Sequence, residues 1–112
     1  MQQRKKSLGA ALAVAGLGAG LCAGAWAAEP DMDAGRQLFV NAVPACAICH
    51  TLADAQASGA IGPVLDEIKP DASRVEQAIR NGIGQMPAYA TLSDDEIALL
   101  SAYVAKASGG AP

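Results

Sequence analysis

The residues best suited to chemistry are two cysteines and the single histidine, which fall in the segment Cys46-Ala47-Ile48-Cys49-His50. Thiols three residues apart lie on one helical turn, so both can reach the two vinyl groups on one edge of a haem. The next residue carries its imidazole beneath the ring, where a nitrogen can bind the iron. The C-x-x-C-H spacing therefore predicts one covalent haem c attached through Cys46 and Cys49, with His50 as an axial ligand.

Two other kinds of site use the same residues. A thioredoxin-like dithiol needs a βαβ setting with β-branched strands, and no such pattern surrounds Cys46 and Cys49. A structural zinc site needs four ligands, and no second pair of cysteines or histidines follows His50. Both sites are alternatives to the haem, with less support from the sequence.

A haem iron that exchanges electrons, rather than binding small molecules, needs a sixth ligand. Beyond the initiator, the candidates are Met32 and Met86. Met32 precedes the first predicted helix, whereas Met86 lies in the glycine-rich loop 81–89 and is followed by Pro87. We predict that Met86 is the second axial ligand. The competing interpretation is a methionine that fills the core.

The elements that must position these residues are predicted to be helices, because Ala is abundant while Val, Ile and Thr are thinly spread. Apolar residues at helical spacing predict a first helix over 33–43, ended by the following proline. The capping boxes Ser73–Glu76 and Ser93–Glu96 predict the starts of two more helices. These helices are expected to stop at 81–82 and 109–110, with Gly/Pro loops at 53–70 and 82–92. The domain is therefore expected to be all-α.

The first 27 residues are predicted to be a cleavable signal peptide. Three cations at positions 4–6 precede an uncharged run over 8–28, within which Ala25-Trp26-Ala27 is a pattern that signal peptidase cuts. The competing interpretation is a permanent anchor, since a run of this length can just span a bilayer. Cleavage would remove Cys22 and leave residues 28–112 as a periplasmic domain with no stable membrane insertion.

The charge of that domain excludes one class of partner. The whole chain has a formal net charge of −3, but residues 28–112 hold only 5 of the cations against all 11 anions, a net −6. A domain this acidic lacks the basic surface that binding of nucleic acid requires. It is also small, with Phe39, Tyr89 and Tyr103 as its aromatic residues, so a bound group is expected to complete its core.

Four motifs, in this order along residues 32–107, resemble the small bacterial class I cytochromes c that carry one haem. They are Gly35 to Phe39, Gly62-Pro63-Val64-Leu65, Gly82 to Met86-Pro87, and Leu99-Leu100 to Tyr103. The resemblance implies the class I cytochrome c fold, with three to four helices and Gly/Pro loops around one covalent haem. It also implies that the first and last helices cross closely at Gly35. In this family Pro63 O would accept a hydrogen bond from His50 and so orient the ring.

Within the family, the segment from Cys49 through Asp71 resembles the small cytochromes that accompany molybdenum sulfite dehydrogenases. The resemblance implies an electron-transfer protein, not an enzyme, that accepts electrons one at a time from such a dehydrogenase. The alternative is a general periplasmic carrier between another dehydrogenase and a terminal oxidase. A haem peroxidase or gas sensor would instead need an open sixth position. A carrier is expected to expose the haem edge near Ala47 and Ile48, with residues 85, 87 and 88 on the other rim.

Overall fold

The computed structural model describes residues 9–20 and 29–112. Residues 9–20 form no regular secondary structure, and their large apolar side chains are exposed. The predicted cleavage point after Ala27 lies outside the described residues, as do Cys22, Trp26 and the cations at 4–6. Within the part that is described, no helix is both long and apolar enough to cross a membrane.

The domain consists of helices joined by loops, in agreement with the all-α prediction. Three long helices are accompanied by two single turns, so the expected three to four helices become five in the described residues. They are α1 (Met32–Asn41), α2 (Cys46–Cys49), α3 (Leu65–Ile68), α4 (Ala72–Asn81) and α5 (Asp94–Ser108). The long helices α1 and α4 both pack against α5, which places α5 at the centre of the core.

The loop predicted over 53–70 is more structured than the sequence suggested. Two-residue strands β1 (Thr51–Leu52) and β2 (Ala57–Ser58) pair antiparallel, with Thr51 opposite Ser58. A 3-10 turn at Ala53–Ala55 joins them, and the short helix α3 follows. Patterns of two to four residues are too short to carry a periodicity, so sequence reasoning missed these elements.

The first helix begins and ends slightly earlier than predicted. Asp31 caps its start, because its side chain accepts a hydrogen bond from Ala34 N at 3.0 Å. The helix ends at Asn41, and Ala42 has extended backbone angles (φ −57°, ψ 157°). Pro44 disfavours the helical conformation in the residue before it, so the chain leaves the helix before the predicted end at 43.

The predicted capping box at Ser73 is wrong. The cap of α4 is Asp71, whose side chain accepts a hydrogen bond from Arg74 N at 2.8 Å, so Ser73 lies inside the first turn. Glu76 does not reach back to the start of the helix; it accepts a hydrogen bond from Arg80 Nε at 2.9 Å. Asp is as good a cap as Ser, and the earlier start adds two residues to the helix, which Gly82 ends as predicted.

The capping box at Ser93 is confirmed. Ser93 Oγ accepts a hydrogen bond from Glu96 N at 3.1 Å, and Glu96 accepts one from Ser93 N at 2.8 Å. The helix runs to Ser108, and Gly109 ends it with φ +85°, the left-handed conformation that glycine adopts without strain.

Gly35 allows α1 to cross α5 closely. A Cβ atom at Gly35 would lie 2.4 Å from Tyr103 Cβ and 2.6 Å from Tyr103 Cγ, which leaves no room for a side chain. The atoms that meet Gly35 belong to the side chain of Tyr103 and not to the backbone of α5. That ring is fully buried and packs edge-to-face on Phe39, with ring centroids 6.2 Å apart.

Asp54 joins the 3-10 turn to both crossing helices. Tyr103 donates its hydroxyl hydrogen to Asp54 Oδ2 at 2.7 Å, and Arg36 donates from Nη2 to the same oxygen at 2.9 Å. The hydrogen bond from Tyr103, followed by the one from Arg36, lowers the pKa of Asp54. Arg36 Nε also donates to Asp54 O at 3.0 Å, so the backbone of the turn is held as well.

Replacing Gly35 with Ala should destabilise the protein, because the added methyl group would overlap Tyr103. Overpacking of this kind costs about 1–3 kcal/mol, of which the better helix propensity of Ala recovers up to about 1 kcal/mol. Urea unfolding followed by circular dichroism measures the difference. Gln37→Ala on the exposed side of α1 is the control, and equal stability of the two variants would contradict the close crossing.

Candidate functional site

A cavity of about 470 Å³ brings together the four residues predicted to hold a haem: Cys46, Cys49, His50 and Met86. Its volume lies within the range of about 300–1,000 Å³ that is usual for sites of small molecules and cofactors. The rest of its wall is mostly apolar and comes from every helix, including Phe39, Leu65, Val75, Ile79, Leu100 and Val104.

The two cysteines lie on the single turn α2, as their spacing predicted. Both thiols are free and partly buried, and His50 N closes the turn by donating to Cys46 O at 2.9 Å. Burial raises the pKa of the Cys46 thiol to about 11. A thiol–disulfide enzyme instead lowers the pKa of its attacking cysteine, so the site does not suit that alternative.

His50 is oriented by the backbone of the Gly62-Pro63 segment. Its Nδ1 atom lies 2.8 Å from Pro63 O, the contact that the family resemblance implied. A carbonyl oxygen can only accept, so Nδ1 carries the hydrogen in this bond. In a neutral imidazole the other ring nitrogen, Nε2, then has the free lone pair that a metal requires.

Two glycines make room for this arrangement. A Cβ atom at Gly62 would lie 2.5 Å from Cε1 and 2.8 Å from Nδ1 of His50, so only glycine fits beside the ring. Gly62 N also donates to Cys49 O at 2.7 Å, which ties the segment to α2. A Cβ atom at Gly59 would lie 2.6 Å from the carbonyl carbon of Cys49. Nothing in the sequence indicated a role for Gly59. The role of Gly62 was indicated only by its place before Pro63 in the Gly62-Pro63-Val64-Leu65 motif.

Met86 lies at the end of a tight turn. Ile83 and Met86 exchange backbone hydrogen bonds at 3.1 Å and 2.9 Å. Gly84, the first central residue, has φ +55°, as in type II′ turns. A Cβ atom at Gly82 would lie 2.6 Å from Met86 O, so glycine is needed there too. Met32, the other methionine of the domain, is the first residue of α1 and is not among the residues that line the cavity.

Tyr89 connects this turn to the start of the cysteine motif, a role that sequence reasoning missed. Its hydroxyl group donates to Pro44 O at 2.7 Å, and its backbone N donates to Ile79 O at 2.8 Å. Burial, and then the neighbouring Cys46, raises the pKa of Tyr89 to about 12, so the hydroxyl group keeps its hydrogen. The sequence feature that could have indicated this role is the position of an aromatic residue three residues after Met86.

Two exposed apolar side chains, Ile61 and Ile83, line the cavity, and Ile48 is exposed on α2 between the two cysteines. Exposed fractions are 63% for Ile48, 68% for Ile61 and 64% for Ile83. Ala47 is only partly exposed, whereas residues 85, 87 and 88 are exposed as expected.

The residues present fit a c-type haem. One wall supplies two thiols one turn apart and an imidazole with a free nitrogen, and the same cavity holds a thioether. Apolar side chains make up most of the remaining surface, which suits a flat aromatic macrocycle.

Comparisons with known proteins agree with this geometry. A family model described as "Cytochrome C oxidase, cbb3-type, subunit III" matches residues 30–104, which include every predicted site residue. Among solved structures, the chain is similar to the c-type cytochrome SorU from Sinorhizobium meliloti. The two are 52% identical with a TM-score of 0.68, over 71% of this chain and 93% of that chain. No curated protein matched.

Replacing Gly62 with Ala should displace the His50 ring, because the new methyl group would overlap it. We expect a loss of about 1–3 kcal/mol in the free energy of unfolding of the haem-bearing protein. Ala60→Ser, an exposed change two residues earlier, should stay within about 0.5 kcal/mol. Urea titration of both variants measures the free energy of unfolding. If Gly62→Ala leaves that free energy unchanged, Gly62 does not confine the His50 ring.

Proposed function

The chain belongs to the cytochrome c family, which confirms the predicted fold and one covalent haem c, and on this premise we propose a periplasmic one-electron carrier. In this proposal Cys46 and Cys49 would form the thioether bonds, and His50 and Met86 would ligate the haem iron. Pro63 orients His50 through its carbonyl group. The observation that carries the proposal is the single cavity lined by both cysteines, His50 and Met86.

The haem supplies a one-electron couple between Fe(III) and Fe(II). The Met86 thioether favours Fe(II) more than a second imidazole would. Apolar walls disfavour the extra positive charge of Fe(III), and both effects raise the reduction potential. The residues of this cavity therefore suit a protein that accepts electrons readily.

A methionine in the sixth position argues against chemistry on a bound small molecule. Peroxidases and gas sensors need that position open or easily vacated. Here the turn that carries Met86 is closed by two backbone hydrogen bonds and adjoins Tyr89, whose hydroxyl group is bonded to Pro44 O. These restraints support a retained ligand, and hence electron transfer without catalysis at the iron.

The exposed side chains of Ile61 and Ile83 at the cavity, and of Ile48 on the cysteine turn, support brief contacts with redox proteins. Electron-transfer complexes bury little surface and separate quickly, which a small apolar patch allows. The net charge of −6 over residues 28–112 favours approach to a partner with a basic surface.

We propose a molybdenum sulfite dehydrogenase as the electron donor. The support is the resemblance of the segment from Cys49 through Asp71 to the cytochromes that accompany such enzymes. This segment includes α3 and holds both Gly62 and Pro63 beside His50. A general carrier that passes electrons from another dehydrogenase to a terminal oxidase is the alternative.

The periplasm is the proposed location. Residues 1–27 have the cationic start, uncharged run and A-x-A ending of a signal peptide. Cleavage would leave residues 28–112 without a membrane-inserted segment.

Met86→Leu should open the sixth position, because leucine has no atom that can bind iron. The ferric variant should lose the weak red absorption of thioether-ligated haem and should bind cyanide at low concentration. Met32→Leu is the matched control: it changes the domain's other methionine, which does not line the cavity, and should keep the wild-type spectrum. An unchanged spectrum in Met86→Leu would exclude this ligand.

The donor is tested by an optical time course. Oxidised protein is mixed with a sulfite dehydrogenase from the same cells, and sulfite is added while the band of reduced haem is recorded. Rapid reduction that requires both enzyme and sulfite is the expected result. If dithionite reduces the haem but enzyme with sulfite does not, the sulfite assignment is wrong and the general carrier remains.

A further inference from the structure

Residues 83–92, here called the Met86 segment, are joined to the rest of the domain by few hydrogen bonds. Among the hydrogen bonds of the described residues, two connect this segment to residues outside it, and Tyr89 makes both. Its backbone N donates to Ile79 O at 2.8 Å, and its hydroxyl group donates to Pro44 O at 2.7 Å. The two hydrogen bonds of the turn that ends at Met86 lie within the segment, so they do not anchor it.

The two hydrogen bonds of Tyr89 lead to different walls of the cavity. Ile79 is on α4, whereas Pro44 precedes the first residue of α2, Cys46, by two positions. Among the described residues, the Tyr89 hydroxyl group makes the one hydrogen bond between residues 44–50 and the Met86 segment. That bond therefore connects the side that would hold the haem to the segment that would supply the sixth ligand.

We propose that the Tyr89 hydroxyl group is a positioning group that keeps Met86 on the haem iron and so keeps small molecules out of the sixth position. This inference rests on the proposed ligation by Met86. A thioether binds iron through one uncharged sulfur atom, so its retention depends on how firmly the chain holds it. Without the hydroxyl group, the bond from Tyr89 N to Ile79 O remains, and it holds the segment on the α4 side only. The Met86 segment can then move away from the cysteine turn without breaking a hydrogen bond to it.

The test compares Tyr89→Phe with Tyr103→Phe. Both changes remove the hydroxyl group of a buried tyrosine that donates a hydrogen bond of 2.7 Å, but Tyr103 donates to Asp54 and does not line the cavity. Each ferric protein is mixed with imidazole at rising concentration, until the binding rate no longer increases and equals the rate at which Met86 leaves the iron. Tyr89→Phe should raise this limiting rate about three- to tenfold, the effect of losing one hydrogen bond. Tyr103→Phe should change it by less than about twofold.

Urea unfolding of the same variants separates positioning from general destabilisation. Loss of a satisfied hydroxyl group should lower the free energy of unfolding in both, so a faster limiting rate in Tyr89→Phe alone is specific to the Met86 segment. The resting ferric spectrum of Tyr89→Phe should match that of the wild type, because the thioether is still bound most of the time. An unchanged limiting rate in Tyr89→Phe, or the same acceleration in both variants, would overturn the proposal.

Failure of the proposed ligation by Met86 gives a different result. Imidazole would then bind the wild-type protein at a rate that keeps rising with concentration, and Met86→Leu would bind it as fast as the wild type does. That outcome would overturn the proposed ligand together with the role of Tyr89.

Discussion

The hydrogen bond of 2.8 Å between His50 Nδ1 and Pro63 O is the interaction on which the rest of the site depends. It determines which ring nitrogen carries the hydrogen and leaves Nε2 with the lone pair. For the bond to form, the loop after the cysteine motif must fold back onto α2 at atomic contact. Gly59 and Gly62 are needed for that approach, since any side chain there would overlap α2 or the ring. The metal-binding chemistry of one residue thus dictates the composition of a loop ten residues away.

The domain has few large side chains, and each aromatic residue holds elements together. Tyr103 packs against Gly35 and Phe39 and also donates to Asp54, so the crossing of α1 and α5 holds the 3-10 turn. Tyr89 likewise joins two segments, because its hydroxyl group links the chain just after the Met86 turn to Pro44. Buried hydroxyl groups of this kind add stability only when they are satisfied, as both are here.

The three arginines of the domain differ in whether carboxylates of the described residues engage them. Arg36 and Arg80 are each held by two carboxylates at the surface, where ion pairs contribute little stability because water screens them. Arg74 is exposed at the border of the cavity and has no such partner among the described residues.

Interactions between near neighbours were determined by the sequence itself. The turn of α2 and the Ser93–Glu96 capping box follow from atoms three or four positions apart, which local chemistry places without help from the fold. The same reasoning chose Ser73 over Asp71, because two good caps two residues apart are not distinguished by local pattern. Only the tertiary structure decided the contacts of Tyr89 with Pro44 and of Tyr103 with Asp54, which span 45 and 49 positions. It also decided that Arg74 borders the cavity, since packing of whole helices, and not the neighbouring residues, sets which distant atoms meet.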